Sequence, residues 1–171
     1  MIKAIVYVSN TGYTRHYAEI LSGETGLPAY ELKDSGKKLS RGDEIIFMGW
    51  IMAGSIKGYK KAAGNYSVKA ACAVGMSSPT EKTVGEIIER HHIKDARVYC
   101  LQGGFDISKL RGMYKFMMKM MGKGISESIE KKENKTPEDI ASLEMFKNGG
   151  DYVRKENLTD LLQWYNSIKE S

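Results

Sequence analysis

The sequence predicts an α/β protein, one parallel sheet wrapped by helices on both faces. Short apolar runs alternate with helical patterns from the first residues onward, and such alternation builds strand–helix–strand units. Several of the runs are nearly continuous in apolar residues, as in strands buried on both faces; a half-exposed strand would alternate. At 171 residues the chain is long enough for one domain with a full core and short for two.

The first run, residues 2–8 ("IKAIVYV"), meets a glycine-containing loop, and a helical pattern follows over 13–22 with Gly23 as its stop. Further strand-like runs lie at 28–32, 44–49, 68–76 and 97–101. A helix is expected over 54–63, closed by Gly64, and another from Pro79 and Thr80 through His91, with Val84, Ile87 and Ile88 on one face. The last helix begins near Asn157 and places Leu158, Leu161, Leu162, Tyr165 and Ile168 on a core-facing stripe.

Between the fifth run and this helix stand about fifty residues, far beyond the roughly two to six usual for such a connection. Their first part, 109–123, is basic and methionine-rich. The stretch "GISESIEKKENKT" is polar and expected to be mobile, and 137–147 reads as a short helix with Thr136 as cap and "NGG" as stop. The expected organisation is a single domain, 1–171, with an insertion at about 105–150.

Composition narrows the function. The chain opens on strand residues without a signal-like start and nowhere carries 18 consecutive apolar residues. The expected location is the cytoplasm, with the insertion allowing peripheral contact with the inner face of the membrane. Cys72 and Cys100 sit inside apolar runs without metal-ligand spacing, so they are expected in the core and no metal is expected. The net charge of +5 is concentrated: residues 109–123 hold five of the 26 basic residues and no acid, and the remaining 21 balance the 21 acids. Such asymmetry marks an interaction surface.

The loop after the first strand, "SNTGYT", has the form of a phosphate site, since unpaired amides and the positive end of a helix dipole converge there. It lacks the lysine and spacing of a nucleoside triphosphate loop and the three glycines of a dinucleotide loop. What remains is a single terminal monophosphate, held by the hydroxyls of Ser9, Thr11 and Thr14 and the amides of Asn10, Thr11, Gly12, Tyr13 and Thr14. A serine or threonine N-cap after a buried strand is the competing reading. Ligands of parallel sheets bind outside the carboxyl ends of the strands, which adds the loops "GWIMAGS" (Gly49, Trp50, Ile51, Met52, Ala53 and Gly54) and "MSSPT" (Met76, Ser77 and Ser78). Together they would form a flat, apolar-walled slot beside a phosphate pocket.

These residues resemble the flavodoxins. "SNTGYT" is similar to the T-x-T-G-x-T loop that holds the phosphate of flavin mononucleotide, with serine replacing the first threonine. The resemblance implies a flavodoxin-like fold with a five-stranded parallel sheet of order 2-1-3-4-5, FMN as cofactor, and electron transfer through the flavin. It implies Trp50 and Met52 at the ring faces, Met76 to Ser78 at the pyrimidine side, and Gly49 and Gly54 as candidates for a peptide that reorients near flavin N5. As turn or packing glycines those two are equally expected. No catalytic residue is assigned, because the flavin carries the chemistry.

"GWIMAGSIKGYKKA" and the insertion "KLRGMYKFMMKMMGKG" further resemble the flavodoxin-like protoporphyrinogen dehydrogenases, which pass electrons to a quinone. In the insertion Leu110, Met113, Tyr114, Met117 and Met121 follow helical spacing, while Arg111, Lys115 and Lys119 repeat every four residues on another face. These three basic residues are the expected partner-binding set. Such a basic amphipathic helix suits an anionic membrane, an acidic redox partner protein, or a porphyrinogen with carboxylate arms. Phe116, Met118 and Met120 lie off the stripe as excess apolar surface. Nucleic acid is disfavoured, since the charge sits on one short helix with little stacking surface. A cofactor-free adaptor that binds membrane through this helix is the expectation from another class. His91 and His92 are expected to close a helix near the negative end of its dipole.

Overall fold

Strands with no polar side need cover on both faces, and the first part of the chain supplies it. In the computed structural model, which describes residues 1–169, the elements run β1 (Ala4–Val8), α1 (Tyr13–Thr25), β2 (Ala29–Glu31), α2 (Leu32–Ser35), β3 (Glu44–Met52), β4 (Ser55–Ile56), α3 (Tyr59–Asn65), β5 (Ser67–Gly75), α4 (Glu81–His91), β6 (Arg97–Gln102), β7 (Gly104–Phe105), α5 (Gly112–Glu130), α6 (Pro137–Asn148), β8 (Gly150–Asp151) and α7 (Thr159–Lys169). A 3-10 turn, Lys155–Leu158, leads into α7. The chain forms two compact units, Met1–Gly103 with the chain from Val153 onward, and Gly104–Tyr152.

The first unit is built on a sheet of order β2-β1-β3-β5-β6, parallel throughout, with β4 added antiparallel to β3. The expected count of five strands in order 2-1-3-4-5 is therefore corrected to six, five parallel strands in order 2-1-3-5-6 with β4 beside β3, because the chain turns back after Met52 where the sequence reads as an open loop. Successive residues of one strand point to opposite faces, and both sets are buried. Ile5, Ile46, Met48, Cys72 and Val74 form one core with Tyr17, Leu21, Leu158 and Leu161 of the flanking helices. Val6, Ile45, Phe47, Ala71 and Ala73 form the other with Leu32, Ala62 and Ile87.

Helix boundaries follow capping chemistry. α1 runs past Gly23 and ends at Gly26, whose amide bonds the Ser22 carbonyl. α4 starts where the Thr80 hydroxyl accepts from the Thr83 amide at 3.2 Å. The helix expected over 54–63 begins only at Tyr59, since Gly54 belongs to the β3–β4 turn.

The second unit pairs its two ends as a short ladder, Gly104 opposite Asp151 and Phe105 opposite Gly150. Between them α5 lies against α6 at a close approach: a Cβ on Gly122 would stand 2.9 Å from Phe146 Cδ1. Phe146 in turn meets Phe105 edge to face, ring centroids 5.3 Å apart. Thr136 and Asp139 form a reciprocal capping box at the start of α6. The residues "GISESIE", expected to be mobile, are instead the last two turns of α5, held by buried Ile129 and half-buried Ile125. Among the described residues no helix is long and apolar enough to cross a membrane.

Candidate functional site

Strand register sets the site. Val8 lies opposite Gly49, Trp50 opposite Val74, and Gly75 opposite Gln102. The carboxyl ends of β3, β5 and β6 therefore finish within about one residue of each other and that of β1 two to three residues short of them, with neighbouring strands about 4.8 Å apart. The loops at 9–14, 50–54 and 76–78 open side by side along this edge, as ligand sites of parallel sheets do.

In the first loop Gly12 takes φ 99°, a left-handed conformation that an L side chain resists, and turns the chain directly into α1. Ser9 Oγ accepts from the Arg15 amide at 3.3 Å, so its hydroxyl is drawn over the first turn. The N-cap residue, Gly12, has no side chain to cap the helix, and the first turn carries no acid. The N-cap reading of the hydroxyls is met in part, by Ser9 on the third amide of α1, and the positive end of the helix dipole stands at the loop with no acid in the first turn against it. Asn10 and Gly12 are exposed, Ser9 and Thr11 half-exposed, and Thr14 is only 1% exposed. The Tyr13 side chain is buried in the core, so what it leaves at the loop is its backbone, the group expected there.

The second loop is a tight hairpin. Met52 pairs with Ser55 and Ile51 with Ile56, so Ala53 and Gly54 are its two central residues, at φ 49° and 73°. Positive φ at both positions is what a type I′ turn requires, and at Ala53 it is strained. Gly54 also faces Arg90, whose Nε and Nη2 would stand 3.2 Å from a Cβ there. Gly49 behaves differently: it is an ordinary strand residue whose missing side chain lets β4 pack close. Of the two glycines only Gly54 has the freedom a reorienting peptide needs. Trp50 is half-buried and belongs to neither core, with Lys57 Nζ 6.0 Å from its ring. Ile51 and Met52 are likewise half-buried.

The third loop is fastened by a residue the sequence analysis missed. Gln102 Oε1 accepts from Ser78 Oγ at 3.1 Å, and its Nε2 donates to the Met76 carbonyl at 3.3 Å. A single amide, standing at the end of an otherwise apolar strand, was the signal. Tyr17 fixes the backbone behind it, its hydroxyl donating to the Gln102 carbonyl at 2.5 Å while Asn157 Nδ2 donates to that hydroxyl at 2.6 Å. Ser77 and Ser78 are exposed and Met76 half-buried.

His91 closes α4 as expected, but its role is corrected. Its Nε2 accepts from the Ile56 amide at 2.8 Å and its ring lies edge to face with Tyr59 at 5.0 Å. Burial first, then Arg90 and Lys60, hold its pKa below the ordinary histidine range. Its neutral form thus belongs to the fold, and the stability it contributes is full above the unfolded pKa of about 6.5 and is lost as pH falls through the folded value. Acidification to pH 5 is expected to cost about 1 kcal/mol here, the net worth of one partly screened hydrogen bond. Urea midpoints at pH 7.5 and 5 check this, and His91→Phe should flatten that part of the difference; an equal pH dependence in the variant would refute the assignment.

Cys72 is fully buried and Cys100 half-buried, both free. Burial raises both thiols, Cys100 to about 11, so neither is a thiolate at neutral pH.

A family model described as a flavodoxin domain matches residues 4–134. The chain belongs to the flavodoxin domain family. Neither curated proteins nor solved structures gave a match. Membership of this flavodoxin family sets the general class, a flavodoxin-like redox protein.

The expected partner-binding residues lie apart from those loops in the sequence, within the second unit. Arg111 is the exposed N-cap of α5, Lys119 is exposed and Lys115 half-buried. The expected apolar stripe is corrected. Leu110 is buried, yet Met113, Met117 and Met121 are exposed together with Phe116 and Met120, while Tyr114, Met118, Gly122, Ile125 and Ile129 make the inward face.

Proposed function

We propose that this flavodoxin domain is an FMN-dependent electron-transfer protein, with the terminal phosphate of FMN in the 9–14 loop. The observation that carries the reading is the start of α1: hydroxyls from Ser9, Thr11 and Thr14, a glycine at the N-cap with φ 99°, and no acid in the first turn. This donor set fits a dianionic monophosphate and offers nothing for a longer phosphate chain. Bound FMN would supply one- and two-electron transfer through its ring. The chain's own residues bind and orient it. Trp50 and Met52 offer half-buried apolar surface for the ring faces, backbone amides of Met76 to Ser78 serve the pyrimidine edge, and Gln102 holds that loop in shape. The strained Ala53–Gly54 turn is the element able to change conformation with redox state.

The absorption spectrum of the purified protein tests this. Flavin bands are expected, with FMN and neither FAD nor riboflavin released on denaturation. A colourless protein that takes up no added FMN would sink the reading and favour a cofactor-free adaptor.

A second reading has one observation in its favour. The Gly104–Tyr152 unit carries an open pocket of about 610 Å³, whose apolar lining includes Met118, Leu143 and Phe146 and whose charged lining is Lys119, Lys123 and Lys147 with Glu130 and Glu144. Apolar walls with three ammonium groups against two carboxylates suit a hydrophobic ligand bearing carboxylates, which favours the six-electron oxidation of protoporphyrinogen with three quinones reduced to quinols. Oxidation of protoporphyrinogen by the pure protein plus quinone is then expected. No rate above that of FMN alone would discard it.

A further inference from the structure

We propose that the exposed face of α5 lies on an anionic lipid surface. This stands independently of the flavin reading. Met113, Phe116, Met117, Met120 and Met121 occupy positions i, i+3, i+4, i+7 and i+8 of the helix and are 75%, 68%, 40%, 57% and 43% exposed. They form one continuous apolar stripe on the outside of a helix whose opposite face, Tyr114, Met118, Gly122, Ile125 and Ile129, is already covered within its own unit. Scattered single apolar residues need no explanation; a stripe two turns long does.

Charge decides what covers it. Lys123 borders the stripe, and Lys119 and half-buried Lys115 step away from it round the helix at four-residue intervals, with Lys109 and Arg111 at its start, and no acid occurs from residue 107 to 126. A second copy of this chain would bring lysines against lysines. An anionic membrane brings acyl chains to the stripe and phosphates to its flank, and lysine stems reach from one to the other. Thioethers and a phenyl ring pass into the headgroup boundary without stranding a polar group.

Co-sedimentation of the whole protein with vesicles tests this. Binding to phosphatidylcholine vesicles containing phosphatidylglycerol is expected at low salt, with little to phosphatidylcholine alone and a decline as salt rises. The variant K115Q/K119Q/K123Q should bind the anionic vesicles on the order of a hundredfold more weakly, about fivefold per charge. F116S/M120S, which alters only exposed side chains, should bind more weakly at every salt concentration. Both variants should melt as cooperatively as the wild type. Equal sedimentation of all three proteins would overturn the proposal. So would wild-type protein that ignores anionic vesicles yet dimerises, or binds an acidic polypeptide, through Phe116 and Met120.

Discussion

Replacing Thr11 by alanine and Thr14 by valine together is expected to weaken FMN binding by about 3–6 kcal/mol, more than a hundredfold. Each hydroxyl would donate to a charged phosphate, and hydrogen bonds to charged groups contribute about 1.5–3 kcal/mol apiece. The two positions call for different replacements. Thr11 is half-exposed and truncation there disturbs nothing else, whereas Thr14 is 1% exposed and needs valine to keep its volume. Fluorescence titration of the apoprotein with FMN measures the effect, with riboflavin as internal comparison, since riboflavin lacks the phosphate and should lose little. A double variant with unchanged FMN affinity places the phosphate elsewhere.

Gly49→Ala is expected to destabilise the protein by about 2–4 kcal/mol, through overpacking and the hydrogen bonds it displaces. The new Cβ would stand 2.5 Å from Ile56 Cγ2, 2.6 Å from the Lys57 carbonyl oxygen and 3.1 Å from Phe47 Cε1. Backbone cannot yield as a flexible side chain does, so β4 must move. That movement strains the Lys57 amide to Trp50 carbonyl bond, 2.9 Å, and the Ile56 amide to His91 bond, 2.8 Å. Gly85→Ala is the control. It lies inside α4 with open space where its Cβ would go, and should stabilise by about 0.5–1 kcal/mol. Urea midpoints of the two variants should move in opposite directions; a Gly49→Ala protein as stable as wild type would contradict the packing of the hairpin.

The parallel sheet was legible because its strands carry their own signature. Ile45, Ile46, Phe47 and Met48 are consecutive, apolar and all fully buried, two facing each core. The 9–14 loop was legible for a similar reason, since small hydroxyl residues beside one glycine serve few purposes between a strand and a helix. The hairpin after it was not. Ala53–Gly54 lacks the asparagine or aspartate that usually announces a type I′ turn, and the turn is held from outside, by Arg90 against Gly54 and His91 on Ile56. Nothing local reveals a partner 35 residues away. α5 posed the opposite difficulty: with Met113, Tyr114, Phe116, Met117, Met118, Met120 and Met121 it is apolar almost all round, so periodicity alone cannot say which stripe turns inward. Gly122 against Phe146 decides it, and that is a tertiary fact.

The ladder between β7 and β8 makes the second unit a cassette. About forty-five residues joined as an open loop would cost the rest of the chain about 2 kcal/mol more in closure entropy than a five-residue turn. Gly104 and Phe105, paired with Asp151 and Gly150, bring entry and exit to neighbouring strand positions, so the polymer leaving Gly103 and resuming at Val153 has in effect been joined by a tight turn. Leu158 and Leu161 can then reach the core beside Tyr17 and Leu21 whatever the cassette contains. The unit can be excised, lengthened or exchanged at that seam without rerouting the chain that builds the parallel sheet and its edge loops.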